Sequence, residues 1–274
     1  MSKTTVFYSG CEGKMHYRIA SENADNVLLS YYYIQKQEEV IKLRKKATPR
    51  ISFMIDSGAH TLQKGEEQSR SYWEKFLERY VAWLHANRDY VYCAVELDVG
   101  NIVGEPIIQT WRERYFQPLE AEGMQIIYVW HDYMGEAEWV NMCQKYRYVG
   151  VGQSTYQSGR FMAMLQVARR YRTKVHGFAI TAQKALKSGV LATADSTSWK
   201  SGERYGVWLV FTGKSLRVVA KESRPNWEHF LRNKGYDYEL LMEEDAYATS
   251  TLNIREFRQM ENYYNDKNAM YGSP

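Results

Sequence analysis

The sequence predicts an α/β protein, a (β/α)8 TIM-like barrel with extra C-terminal helices, and three observations point there. Apolar β-rich runs alternate with helical patterns from residue 27 onward, eight such runs can be counted, and several end on a carboxylate. Alternation of this kind marks βα units around a parallel sheet. In a closed barrel the reactive groups sit at the C-terminal strand ends. An open doubly wound sheet is the alternative that the same pattern allows.

The eight expected strands are "VLLSYYY", "ISFMIDS", "YVYCAVELD", "MQIIYVWH", "YRYVGVG", "KVHGFAI", "VLATADS" and "YGVWLVF". Between the second and third, residues 72–88 set Trp73, Phe76, Leu77, Tyr80, Val81 and Leu84 at helical spacing, and Ser71 with Glu74 reads as a capping box. Residues 161–172 repeat the pattern with Phe161, Met164, Leu165 and Ala168, and Gln35 to Lys46 reads as a charged helix. Little room for a helix remains between Trp199 and Tyr205. After Pro225 the pattern turns helical, in "NWEHFLRNKG" and from Tyr238 to Tyr264. A single domain over 1–274 is therefore expected, with the barrel at about 27–215 and a helical extension at about 225–266.

With 274 residues, 45% apolar and 15% aromatic, the chain can bury a sizeable core, which excludes a disordered protein. Cys11, Cys93 and Cys143 are far apart, form no CxxC and read as free thiols of a reducing compartment. The start, "MSKTTVFYSG", has no apolar signal core, and no run approaches about 18 apolar residues. A soluble cytoplasmic protein without membrane contact is expected. The net charge of +4 is mild, but Lys42, Arg44, Lys45, Lys46 and Arg50 cluster, as do Arg169, Arg170, Arg172 and Lys174. Such clusters suit a phosphate backbone or form a solvated helix face.

The strand ends carry Asp56, Asp98, His131, Gly152 with Gln153, His176 and Asp195, which would converge on one mouth. Side chains alternate along a strand, so Glu96 and Asp98 are expected to share a face. Carboxylates crowded around an apolar cavity have their pKa values driven apart, which lets one act as acid and another as nucleophile. Asp56 by itself has a plainer explanation, since an Asp after a strand often bonds the next amides and starts a turn. Metal-dependent hydrolysis is poorly served, because no H-x-H or H-E-x-x-H spacing is present. Nor is there a Walker lysine or G-x-G-x-x-G; Gly150 and Gly152 suit close backbone approach to a ligand. Glycosyl transfer by two carboxylates needs the residues that are there.

Taken in order, "IDSGAHT", "ELDVG", "YVGVGQS" and "TADSTSW" resemble the motifs of the tRNA-guanine transglycosylase superfamily, over roughly Ser52 to Trp199. The resemblance implies a barrel that exchanges guanine for a 7-deazaguanine such as preQ0 or a derivative. Position by position it implies Asp195 as nucleophile, Asp56 as general acid/base and Asp98 as reader of the guanine edge. Ser57, Gly58, Gly150, Gly152, Gln153, His131 and His176 would complete the base site. Members that act on tRNA carry a zinc cluster of three cysteines and a histidine near the C-terminus, and here no cysteine follows Cys143. His131 also stands where the family has glutamine, and "STSW" replaces the basic motif after the nucleophile.

The chain is accordingly more similar to the short phage and bacterial branch that modifies DNA. That branch implies DNA rather than tRNA as the partner, the host cytoplasm if phage-encoded, no zinc subdomain, no metal and no cofactor. An accessory protein is a partner that it leaves open. The target base must leave the stack, and Trp130, Tyr133, Tyr156 and Trp199 are candidates to stack on it or simply to pack. A hydrolytic base-releasing glycosylase and a non-catalytic nucleic-acid-binding barrel are the competing readings.

Overall fold

A computed structural model describes residues 3–37, 39–63 and 68–270. Eight parallel strands close a barrel in sequence order: β1 Thr5–Ser9, β2 Asn26–Ser30, β3 Ser52–Asp56, β4 Val91–Val95, β5 Gln125–Trp130, β6 Tyr148–Val151, β7 Lys174–Gly177 and β8 Thr193–Ser196. The expected barrel class is what the chain adopts. Two strand assignments change. Thr5–Ser9, not read as a strand from sequence, is the first barrel strand, and "YGVWLVF" supplies β9 Trp208–Phe211, which pairs antiparallel with β10 Leu216–Val219 in a separate sheet.

The chain divides into two compact units, one of residues 26–176 and one of residues 1–25 with 177–274. In the first, register runs Leu28↔Met54, Ile55↔Ala94, Ala94↔Ile126 and Val129↔Gly150. Phe53, Met54, Ile55, Cys93, Ala94, Ile126, Ile127 and Tyr128 are all fully buried, as parallel strands covered on both faces require. The helix Arg70–Asn87 buries Trp73, Phe76, Leu77, Tyr80 and Leu84, as its spacing predicts. Its cap is Ser69, whose hydroxyl accepts from the Tyr72 amide, rather than Ser71. "VLLSYYY" is a strand only to Ser30; Tyr31–Ile34 turn helical, and the charged helix covers Val40–Ala47.

In the second unit β1 pairs with β8, Phe7 opposite Asp195. The helix Ala246–Met270 takes over backbone pairing that strands would otherwise supply. Its Asn253 and Glu256 accept from the Leu209 and Phe211 amides of β9 at 2.7 Å each, and its Glu261 and Asn265 accept from Val6 and Thr4 at 2.9 Å. Side chains of this helix thus satisfy amides of β1, inside the barrel, and of β9, outside it. Trp208, Val210 and Val219 pack with Leu231, Tyr238, Leu241 and Leu252 beneath it. No helix among the described residues is long and apolar enough to cross a membrane.

Candidate functional site

Asp56 is the last residue of β3, and its Oδ1 accepts the Gly58 amide at 2.7 Å. Gly58 adopts φ +84°, and a Cβ there would lie 2.4 Å from Tyr32 Cβ and 2.7 Å from Ser30 Oγ. Only glycine makes this turn, so the Asp-Ser-Gly triplet is a backbone requirement as well as a source of a carboxylate. Ser57 is buried, and its Oγ accepts from the Ala59 amide at 3.4 Å.

β4 stops at Val95, and Glu96 does not share a face with Asp98. Glu96 is buried and grips Arg112 at two points, Nε to Oε2 at 2.8 Å and Nη2 to Oε1 at 2.6 Å, while the Val129 amide donates to Oε1 at 2.6 Å. Arg112 opens a π-helical turn, Arg112–Phe116, that follows the helix Glu105–Trp111. The partner that redirects Glu96 therefore lies 16 residues downstream, beyond the reach of alternation.

Asp98, in the loop after β4, meets His131, directly after β5, with Oδ1 2.7 Å from Nε2. Both side chains are about one-third exposed, 34% and 36%. Burial disfavours the imidazolium, but the Asp98 hydrogen bond and charge, with Glu105 and Glu96 nearby, outweigh it and raise the His131 pKa above its ordinary value. The Tyr133 ring stacks on His131 at 5.2 Å and 10°, and its hydroxyl donates to Glu105 at 2.7 Å. Gln63 donates to the Asp98 carbonyl at 2.7 Å. Glu105, Gln63 and this use of Tyr133 carry no sequence signal, because the Gln63–Asp98 and Tyr133–Glu105 bonds join positions 35 and 28 residues apart in the chain.

Gly150 lies inside β6 and is buried. Gly152 follows the strand, and a Cβ added there would meet nothing within 4 Å, so its neighbourhood is open. Gln153 is exposed. His176 is fully buried within β7 and belongs to the core. Among the aromatic candidates, Trp130 and Trp199 are buried with their indole N–H groups on the Gly135 and Ser9 carbonyls, which removes them as stacking surfaces. Tyr156 is half-buried against Phe161, and Tyr133 is 59% exposed.

In the second unit Asp195 sits in β8. Ser9 donates to its Oδ2 at 3.2 Å and the Ala179 amide to its Oδ1 at 2.9 Å, so both oxygens are oriented. Ala179 does this from φ +54°, a left-handed backbone that costs a non-glycine residue about 1–2 kcal/mol. "KVHGFAI" is thus a strand only as far as Gly177.

The two basic clusters lie away from the strand ends that carry Asp56 and Asp98. Lys45, Lys46 and Arg50 precede the start of β3, and Arg169, Arg170, Arg172 and Lys174 lead into or begin β7. They belong to the opposite, N-terminal end of these parallel strands. Cys11, Cys93 and Cys143 are buried reduced thiols, and among the described residues no group of three or more His, Cys, Asp or Glu is placed to hold a metal ion.

No protein-family model and no curated protein matches the sequence. Among solved structures the chain is similar to the carboxyl transferase domain of Rhizobium etli pyruvate carboxylase with 3-hydroxypyruvate, at 9% identity and a TM-score of 0.49. A second structure of that domain gives 9% identity and a TM-score of 0.43. Each alignment covers 93% of this chain and 48% of the other, so the chain spans about half the length of the structures it matches.

Proposed function

We propose that this chain is a guanine transglycosylase, exchanging guanine in nucleic acid, DNA before tRNA, for a 7-deazaguanine base. The observation that carries the reading is positional: Asp56, Asp98 and Asp195 stand at or just after the C-terminal ends of β3, β4 and β8, in the order the sequence motifs resemble. Asp195, oriented through both oxygens, attacks C1′ of the target nucleotide; the C1′–N9 bond breaks, and the base leaves with a proton supplied by Asp56. The incoming 7-deazaguanine gives its N9 proton to Asp56, attacks C1′ and releases the Asp195 carboxylate. Two displacements retain configuration. Asp98 accepts from N1–H and the exocyclic amine of the base, for which it exchanges its bond to His131.

Single-stranded DNA incubated with the protein and labelled guanine tests this. Incorporated label is the expected result, together with a covalent protein–DNA adduct that Asp195→Asn abolishes. Asp56→Asn slows exchange by about 10²- to 10⁴-fold, and Asp98→Ala weakens base binding by about 1–3 kcal/mol. Guanine released without incorporation identifies a hydrolytic glycosylase instead, and binding with neither outcome identifies a non-catalytic barrel.

A further inference from the structure

The N-terminal ends of β5, β6 and β7 border a cavity of about 540 Å³ that base exchange does not use, lined among others by Arg147, Arg172, Lys174, Tyr171 and Glu120. Arg147, Arg172 and Lys174 are exposed, and none of the three pairs with a carboxylate among the described residues. Lys174 is held by neutral groups: its Nζ donates to Gln125 Oε1 at 2.7 Å and lies 5.8 Å from the Tyr148 ring. Glu120 faces the same cavity but accepts from the Tyr128 hydroxyl at 3.2 Å. Three cations thus stand against one engaged carboxylate.

Backbone geometry adds an independent observation. The helix Phe161–Arg170 ends in a wrap in which the Arg172 amide donates to Arg169 O at 3.0 Å and the Thr173 amide to Ala168 O at 2.9 Å. The helix Gln117–Ala121 ends the same way, Gly123 to Glu120 O at 3.0 Å and Met124 to Leu119 O at 3.1 Å. Both junctions border this cavity. At one the left-handed position is Gly123, φ +101°; at the other it is Arg172, φ +59°. A side chain costs stability there, so Arg172 presents its guanidinium to the cavity from a position that glycine would hold with less strain.

We propose that this cavity binds a phosphorylated small molecule of nucleotide size. Two guanidinium forks and an ammonium group match phosphoryl oxygens, the Tyr171 ring offers an aromatic face, and the volume falls within the range of small-molecule sites. The site is independent of the base-exchange chemistry.

Calorimetric titration of the full chain with a nucleoside monophosphate, its nucleoside, inorganic phosphate and a single-stranded oligonucleotide tests it. Saturable, salt-sensitive binding of the monophosphate and none of the nucleoside is expected. Inorganic phosphate binding as tightly as the monophosphate overturns the nucleotide-sized ligand, because the sugar and base would then contribute nothing. Arg172→Gly keeps or raises the melting temperature while weakening binding about ten- to a hundredfold, the loss of one charge-assisted hydrogen bond; Arg147→Gln weakens it likewise. Absence of saturation at millimolar ligand, or unchanged affinity in both variants, overturns the proposal. So does oligonucleotide binding without monophosphate binding, which would make the surface a nucleic-acid interface.

Discussion

Glu96 and Arg112 form a buried two-point ion pair, at 2.8 and 2.6 Å, that ties the end of β4 to the start of a π-helical turn. Arg112 also lies 5.8 Å from the Tyr128 ring and 5.5 Å from the Tyr146 ring, which stack on each other at 4.0 Å. Breaking the pair leaves a buried charge. Arg112→Met should therefore destabilise the protein by about 3–5 kcal/mol, read by denaturant unfolding. Adding Glu96→Gln, which keeps an acceptor for the Val129 amide, should recover most of that loss. If the double variant is no more stable than Arg112→Met, burial of the lone charge is not what makes the single change costly.

The two strand-end glycines should behave oppositely. Gly58→Ala meets both a left-handed backbone and a 2.4 Å clash with Tyr32, and should cost about 2–5 kcal/mol. Gly152→Ala, at φ −86° with open space around it, should leave the melting temperature unchanged while reducing binding of a purine base if backbone approach there matters. Thermal unfolding and base titration of the two variants separate packing from ligand approach.

His131 should titrate above its ordinary pKa in an NMR pH series, because the Asp98 contact and neighbouring carboxylates outweigh its burial. A raised folded-state pKa means that the stability it contributes is present in full below the unfolded-state pKa and is lost as pH rises through the folded value. Asp98→Asn should bring the His131 midpoint down. A midpoint that does not move would show that the 2.7 Å contact does not set the charge of the ring.

Glu261 gives a second pH dependence. Burial raises its pKa to about 7, even though the Val6 amide and the Tyr8 hydroxyl bond it at 2.9 and 3.3 Å. Its contribution is complete below the ordinary carboxylate range and fades as pH climbs through about 7. Glu261→Gln should remove that slope, leaving the variant more stable relative to the parent at pH above neutrality than at acidic pH, by about 3 kcal/mol. Parallel unfolding curves for the two proteins across this range would show that Glu261 does not titrate there.

By itself the sequence determined what short-range periodicity can carry. Runs such as "FMID" and "IIYVW" read as buried strands, the spacing from Trp73 to Leu84 reads as a buried helix face, and Asp56, Asp98 and Asp195 fell at strand ends because polar residues interrupt apolar runs where strands stop. The tertiary structure decided which strands join the barrel: Thr5–Ser9 pairs with β8 inside it, whereas "WLVF" pairs with Leu216–Val219 in a separate sheet, and no local pattern specifies either pairing. It also decided that Glu96 turns to Arg112, that Trp130 and Trp199 are buried, and that the basic clusters lie at the N-terminal strand ends. A local pattern fixes the period of a segment; the direction of a side chain and the end of the barrel it occupies depend on contacts between segments distant in the chain.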